Sequence, residues 1–252
     1  MDPMPQTFGP DDELREARFV AVDLSGAVVR GSELQHVEID SPWLFERANT
    51  LIVNGVDVLP FVDAELNRRF PGRADRLAED PATLRSAWAA LERTWAATLG
   101  RVAAMPAGTV DVSVAGEWSF AQTLRHLVFA TDMWLNNAIL GQPEPFHPIG
   151  RMDRGSAGDA KRFTADASYA EVLEVRAGRV AMVRDFIATA TPELLAEPRA
   201  NPHQPSYPET VLSCLHTILE EEWEHHRYAV RDLDAIESTG TPVRSARADP
   251  QS

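Results

Sequence analysis

The sequence predicts a mainly α-helical protein: a four-helix bundle preceded by a short β segment. Two observations carry this expectation. From residue 81 onward, apolar side chains recur at helical spacing in four long stretches. Between residues 17 and 41 they recur every five residues instead, a period that neither a helix nor a flat strand produces.

Composition sets the limits. The 252 residues are 44% hydrophobic and 25% charged, as in an ordinary globular protein. The formal net charge of −14 argues against a phosphate-backbone binder, which presents a basic face. No apolar run is long enough to span a bilayer. The opening MDPMPQTFGPDDELRE lacks the basic and apolar regions of a secretory leader, so the expectation is a cytoplasmic protein that binds neither nucleic acid nor membrane. The single cysteine, Cys214, excludes an intrachain disulfide, and its place within a helical stretch points to a buried, inert thiol.

Residues 1–16 are expected to form a mobile arm and residues 17–75 a β segment followed by a short helix. In the β segment, Phe19, Leu24, Val29, Leu34 and Ile39 mark the five-residue period, with Val22, Ala27, Ser32 and Val37 two positions before the last four. A square β-solenoid has this period, because each face takes five residues and points one side chain inward. VDLSG-AVVRG-SELQH-VEID accordingly resembles the pentapeptide repeat, A-(D/N)-L-X-X. The alternative is a pair of short strands with a coincidental period. About four repeats make one coil, which cannot cover its own ends. Residues 51–60, LIVNGVDVLP, read as a strand, an Asn54–Gly55 turn and the start of a short helix to about Phe70, with Asp57 as its cap.

Four helices are expected within residues 80–237. Residues 81–105 open with Pro81 and carry a stripe of Leu84, Trp88, Leu91, Trp95 and Leu99. Residues 118–141 begin at a Ser119 cap and stop at Gly141. Residues 168–190 form the third, and residues 207–237, opening near Pro208, the longest. The 141–167 connection, with His147, Met152 and Arg154, is long for a bundle and is a candidate lid or substrate loop. Residues 238–252, small, polar and Pro-containing, are expected to be a disordered tail.

The chemistry is concentrated in the last helix. In EEEWEHH, Glu221 with His225 and Glu222 with His226 both stand four residues apart, on one helical face. Each pair offers a carboxylate oxygen and an imidazole nitrogen, a mixture that Zn²⁺, Fe²⁺, Ni²⁺ or Mn²⁺ accepts. Carboxylates next to Leu215, Leu219, Ala229 and Leu233 need a cation or a partner if they are to be buried. His126, among Leu124, Phe129, Ala130 and Trp134, is the best third donor. A helical wheel points Glu222 and His226 inward, with His225 beside them, so the register is open on spacing alone.

GEWSFAQTLRHLVFATDMW and the EEEWEHH helix together resemble the two motifs of the DinB-like superfamily, whose bundle binds metal through a His on the second helix and a His-x-x-x-His pair on the last. The resemblance covers about residues 80–237. The mycothiol-dependent branch, including mycothiol-dependent maleylpyruvate isomerase, has Glu in place of the first His of that pair, and Glu221-Glu-Trp-Glu-His225 is similar to its Glu-x-Trp-x-His pattern. On this basis the metal ligands are expected to be His126, Glu221 and His225, with Glu222 and His226 as the alternative register. The His-His-Arg run at 225–227 resembles the ending of many family members and favours that alternative.

The resemblance implies one divalent metal, with Zn foremost and Ni, Fe or Mn as alternatives, and a low-molecular-weight thiol as co-substrate. It further implies a metal-dependent S-transferase or isomerase acting on a small molecule as a homodimer. The alternatives are a metal-dependent hydrolase and a non-catalytic, metal-stabilised binding protein. Arg125, Arg151 and Arg154 are candidates to hold a carboxylate substrate. His36, His203 and His216 read as structural or solvent-facing. No Gly-x-Ser-x-Gly, Walker or Gly-x-Gly-x-x-Gly motif competes with the metal site.

Overall fold

A computed structural model describes residues 7–20, 22–45, 49–152 and 167–239. The chain divides into two compact units, Met1–Ser41 and Pro42–Ser252. Arg154, the rest of 153–166, and residues 240–252 of the expected tail lie outside the described residues.

In the first unit the five-residue period becomes a period of corners. Positive φ angles fall at Glu16 (60°), Gly26 (75°), Gly31 (64°) and His36 (57°), multiples of five apart. Turns are closed by Ala17 N–H to Leu14 C=O at 3.1 Å and Ala27 N–H to Leu24 C=O at 2.9 Å. Glycine tolerates the left-handed corner, which explains the Gly at 26 and 31. The expected β pairing is absent from the described residues here. A single repeat-like turn of chain would have no neighbouring turn to accept its backbone hydrogen bonds, so no ladder is expected of it. Phe19, Leu24, Val29, Leu34 and Ile39 are each more than half exposed within this arrangement.

The second unit opens with a hairpin, β1 (Ile52–Val53) and β2 (Val56–Asp57), around Asn54 and Gly55. Helix α1 (Leu59–Arg69) follows. The Asp57 carboxylate accepts from the Leu59 N–H at 3.2 Å, although the assigned cap is Val58. A 3₁₀ turn, Arg73–Leu77, leads into α2 (Pro81–Ala103), whose Asp80 cap accepts from the N–H groups of Ala82 and Thr83. Two buried arginines tie this region down: Arg73 and Arg76 share Asp63 Oδ1 at 2.7 and 3.0 Å.

Helix α3 (Phe120–Thr131) starts at a capping box between Ser119 and Gln122. It continues as a π-helical stretch, Asp132–Ile139, that ends before Gly141 (φ 60°). After it come α4 (Tyr169–Thr189), again begun by a Ser–Glu capping box, and the single turn α5 (Pro192–Leu195). Strands β3 (Pro198–Ala200) and β4 (Pro208–Thr210) pair antiparallel. The last helix, α6 (Val211–Thr239), therefore starts three residues after Pro208. Residues 208–210 give their backbone groups to β3, and the Thr210 hydroxyl accepts from the Ser213 N–H at 3.1 Å to begin the helix.

The four long helices α2, α3, α4 and α6 make the bundle. α2 and α3 each pack on both α4 and α6. Trp88, Leu91, Leu124, Leu127, Ile187, Leu215, Ile218 and Trp223 form its centre. Every described residue of α3 except Gln122 is buried, because the 145–152 segment covers the face that the other helices leave open. Among the described residues no helix is long and apolar enough to cross a membrane.

Candidate metal centre

Two helices bring the donors together. α3 carries His126 near its middle, and the Ser119 cap fixes where that helix begins. α6 carries Glu221 and His225 one turn apart. The Nε2 atoms of His126 and His225 both lie 3.2 Å from Glu221 Oε2. Ligand atoms of the three residues all fall within 4.8 Å of one another. His126 is buried, whereas about a third of the Glu221 side chain remains exposed (32%), so the group is closed at the α3 side and open at the Glu221 edge.

The hydrogen bond behind His126 sets its chemistry. Its Nδ1 lies 3.1 Å from the carbonyl oxygen of Arg151. A carbonyl only accepts, so Nδ1 carries the proton, and the neutral ring then presents the lone pair of Nε2 to the carboxylate of Glu221. A carboxylate is also an acceptor. Lone pairs facing each other at this distance require a cation between or beside them, either a proton on the imidazole or a metal ion. Burial raises the Glu221 carboxyl pKa, but the His126 and His225 imidazoles beside it outweigh burial and hold the group far below the usual carboxylate range. Two imidazole nitrogens and one carboxylate, held by backbone on one side and open on the other, suit a three-donor site for a borderline divalent metal.

Aromatic side chains wall the group. Trp118, immediately before the Ser119 cap, stacks nearly parallel on the His225 ring (5.8 Å, 14°) and lies 4.8 Å from His126. The guanidinium of Arg151 sits 5.5 Å above the Trp118 ring. Phe129 packs between His126 (6.0 Å) and Phe146 (5.6 Å). Trp118 lies within the GEWSFAQTLRHLVFATDMW motif, and only the fold shows that its ring faces the donors.

The alternative pair is engaged elsewhere. Glu222 is fully buried, and both its oxygens are bound by the guanidinium of Arg176 on α4. His226 turns toward α2, where its Nε2 meets the Thr98 hydroxyl at 2.8 Å among Phe70, Trp95 and Trp223. Burial pushes the His226 imidazole down to about 4. Glu224 pairs with Arg227 at 2.8 Å and lies 3.6 Å from Arg73. Glu220 lies 3.8 Å from Arg76. The acidic run thus distributes its carboxylates over separate cationic partners on different faces of α6.

Other candidate residues take structural places. Arg125 donates through Nε to the Ile149 carbonyl at 2.9 Å, and for Arg151 it is the backbone carbonyl that reaches His126. His216 Nε2 meets the Ala78 carbonyl at 2.9 Å. His203 is exposed against Trp134, and His36 is exposed at a positive-φ corner. Cys214 is buried, its thiol pushed up to about 12.

Comparison with curated proteins and with solved structures finds no match. A family model described as the DinB superfamily, which is metal-binding in general, matches residues 90–229, more than half of the chain. That stretch runs from α2 to α6 and contains His126, Glu221 and His225, so the chain belongs to the DinB superfamily.

Proposed function

We propose that the protein is a metal-dependent S-transferase or isomerase that uses a low-molecular-weight thiol of the mycothiol type. His126 Nε2, Glu221 and His225 Nε2 would hold one divalent ion, with Zn the first expectation. The observation that carries this reading is the shared approach of two imidazole nitrogens to one carboxylate oxygen at 3.2 Å. The Glu221-Glu-Trp-Glu-His225 pattern, similar to that of the mycothiol-dependent branch, supports the thiol. A divalent ion in this position would supply Lewis acidity and keep a coordinating thiol deprotonated at neutral pH.

The chain's own residues bind and orient. Three protein donors leave further coordination positions, as a catalytic site requires. The Arg151 carbonyl holds His126 in the Nδ1–H form, and Trp118 covers one face of the His225 ring. Cys214, the one cysteine of the chain, is buried, so on this reading the nucleophile comes from solution. On this reading the partners are a small-molecule electrophile and a second copy in a homodimer.

The test is to incubate purified protein with a mycothiol-type thiol and a fluorogenic electrophile, with and without chelator. Metal-dependent adduct formation, absent in His126→Ala, is the expected result. Bound metal without any thiol adduct would reject the transferase reading. Hydrolysis of ester or amide substrates by such a sample would instead indicate the hydrolase.

A further inference from the structure

The segment from Pro145 to Arg151 runs back along α3 and is fastened to it at both ends. At the near end, the His126 Nδ1 meets the Arg151 carbonyl at 3.1 Å. The Arg151 N–H donates to the Arg125 carbonyl at 3.1 Å, and Arg125 Nε donates to the Ile149 carbonyl at 2.9 Å. At the far end stands Asp132, the first residue of the π-helical stretch and 0% exposed. Its Oδ2 accepts from the His147 N–H at 2.8 Å. Its Oδ1 accepts from Asn136 Nδ2 at 2.7 Å, and Asn136 Nδ2 also reaches the Pro145 carbonyl at 3.3 Å. Arg179 on α4 binds both oxygens, at 2.5 and 3.3 Å.

We infer that Asp132 is a positioning residue for the metal site: by holding the His147 N–H it seats the strap whose Arg151 carbonyl orients His126. The inference rests on the proposed metal role of His126. Arg179 neutralises the buried carboxylate and the His147 N–H satisfies a further oxygen lone pair, so one carboxylate ties the strap to both α3 and α4. Between His147 and Arg151 the strap makes a turn closed by Gly150 N–H to His147 C=O at 3.0 Å, with Ile149 buried beneath it. A short, turned segment transmits a shift at one end to the other. The π-helical geometry starts at Asp132, and such stretches recur at functional positions in helices. Hydrogen-bond partners behind a metal-bound histidine typically change metal affinity about tenfold to a hundredfold when lost.

Asp132→Asn in the full chain replaces the acceptor and unbalances Arg179. His147→Pro deletes the strap's N–H donor together with the ring, whereas His147→Ala keeps the N–H and removes only the ring, whose Nδ1 accepts from the Ile149 N–H at 3.2 Å, so the difference between the two variants reads the N–H. Two readouts are taken: amide hydrogen exchange at Arg151 without metal, and Zn²⁺ or Co²⁺ affinity by chelator competition together with the Co²⁺ visible spectrum. Asp132→Asn and His147→Pro should speed Arg151 exchange and weaken metal binding by about tenfold or more, with a changed Co²⁺ spectrum. His147→Ala, which loses only the ring's bond to the Ile149 N–H, should change both readouts far less than His147→Pro. Thr98→Val, which disturbs the His226 side of the bundle, should lower stability without moving either readout.

Unchanged Arg151 exchange in His147→Pro, or faster exchange with unaltered metal affinity and spectrum, overturns the inference. The Pro–Ala comparison decides it even if Asp132→Asn does not fold. Wild-type protein that takes up no more metal than His126→Ala would instead remove the metal reading itself, and the inference with it. That failure is read on the wild type and is therefore distinct.

Discussion

Across the centre of the bundle, the guanidinium of Arg176 on α4 binds the carboxylate of Glu222 on α6, with both residues almost wholly buried. This pairing separates two adjacent glutamates that the sequence alone leaves equivalent. Glu222 is neutralised within the bundle by a permanent cation. Glu221, one residue earlier and turned about 100° around the helix, faces two imidazoles instead.

The two carboxylates should therefore respond differently to substitution. Glu221→Ala and His225→Ala should abolish stoichiometric metal binding while the protein stays folded. Glu222→Gln should retain the metal but lose stability, by about 3–5 kcal/mol, because it strands a buried charge. Elemental analysis and urea unfolding measure the two effects. Loss of metal from Glu222→Gln with little change in stability would invert the assignment.

Metal removal should be visible as a loss of stability. An ion that binds only the folded chain adds about 2.7 kcal/mol when its free concentration is a hundred times its dissociation constant. Chelation should lower the thermal midpoint, and added Zn²⁺ should restore it. His126→Ala should show the same midpoint with chelator and with Zn²⁺.

Cys214 offers a check on the interior that is independent of the metal. Its thiol is pushed from 9.0 up to about 12, chiefly by burial. The fold therefore favours the protonated thiol. Its contribution to stability is complete below pH 9 and is lost as pH rises from 9 toward 12, because the unfolded chain releases the proton first. At neutral pH, alkylation of the native protein should be slow and limited by unfolding, and rapid in denaturant. Fast native labelling would show that the thiol is accessible.

The start of α3 sets the position of Trp118 and, two turns on, of His126. Ser119→Ala removes the side-chain acceptor for the Gln122 N–H and should cost about 1 kcal/mol of stability. The cap also fixes the chain direction at Trp118, so a weakened Trp118–His225 stack should accompany the loss. The change in tryptophan fluorescence on Cu²⁺ or Co²⁺ binding reports it, with Trp118→Phe as the reference.

Much of the fold was readable because it depends on local chemistry. The stripe from Leu84 to Leu99, the Ser119 cap, the stop at Gly141 and the apolar face of α6 follow from spacing and capping within single elements. Positive-φ corners at Gly26, Gly31 and His36 stand five residues apart, but the expected repeat-like β segment forms no strand among the described residues. Whether those corners carry strands was not local, because a ladder needs a neighbouring coil. The start of α6 was misplaced for a similar reason: Pro208–Thr210 look like a helix start in sequence and pair with Pro198–Ala200 in space.

The sequence by itself determined that α3 would bury a histidine and that α6 would present a Glu–His pair at i,i+4, because helical periodicity places those side chains without reference to anything else. It left two registers open, since Glu221, Glu222, His225 and His226 all border the same apolar face. Only the tertiary structure decided where each of them goes. Arg176 from α4 takes Glu222, Thr98 from α2 takes His226, and the Arg151 carbonyl turns His126 toward Glu221 and His225. Each of these partners lies 25 or more residues away along the chain, and a buried charge or imidazole is placed by the partner that satisfies it rather than by its own helix.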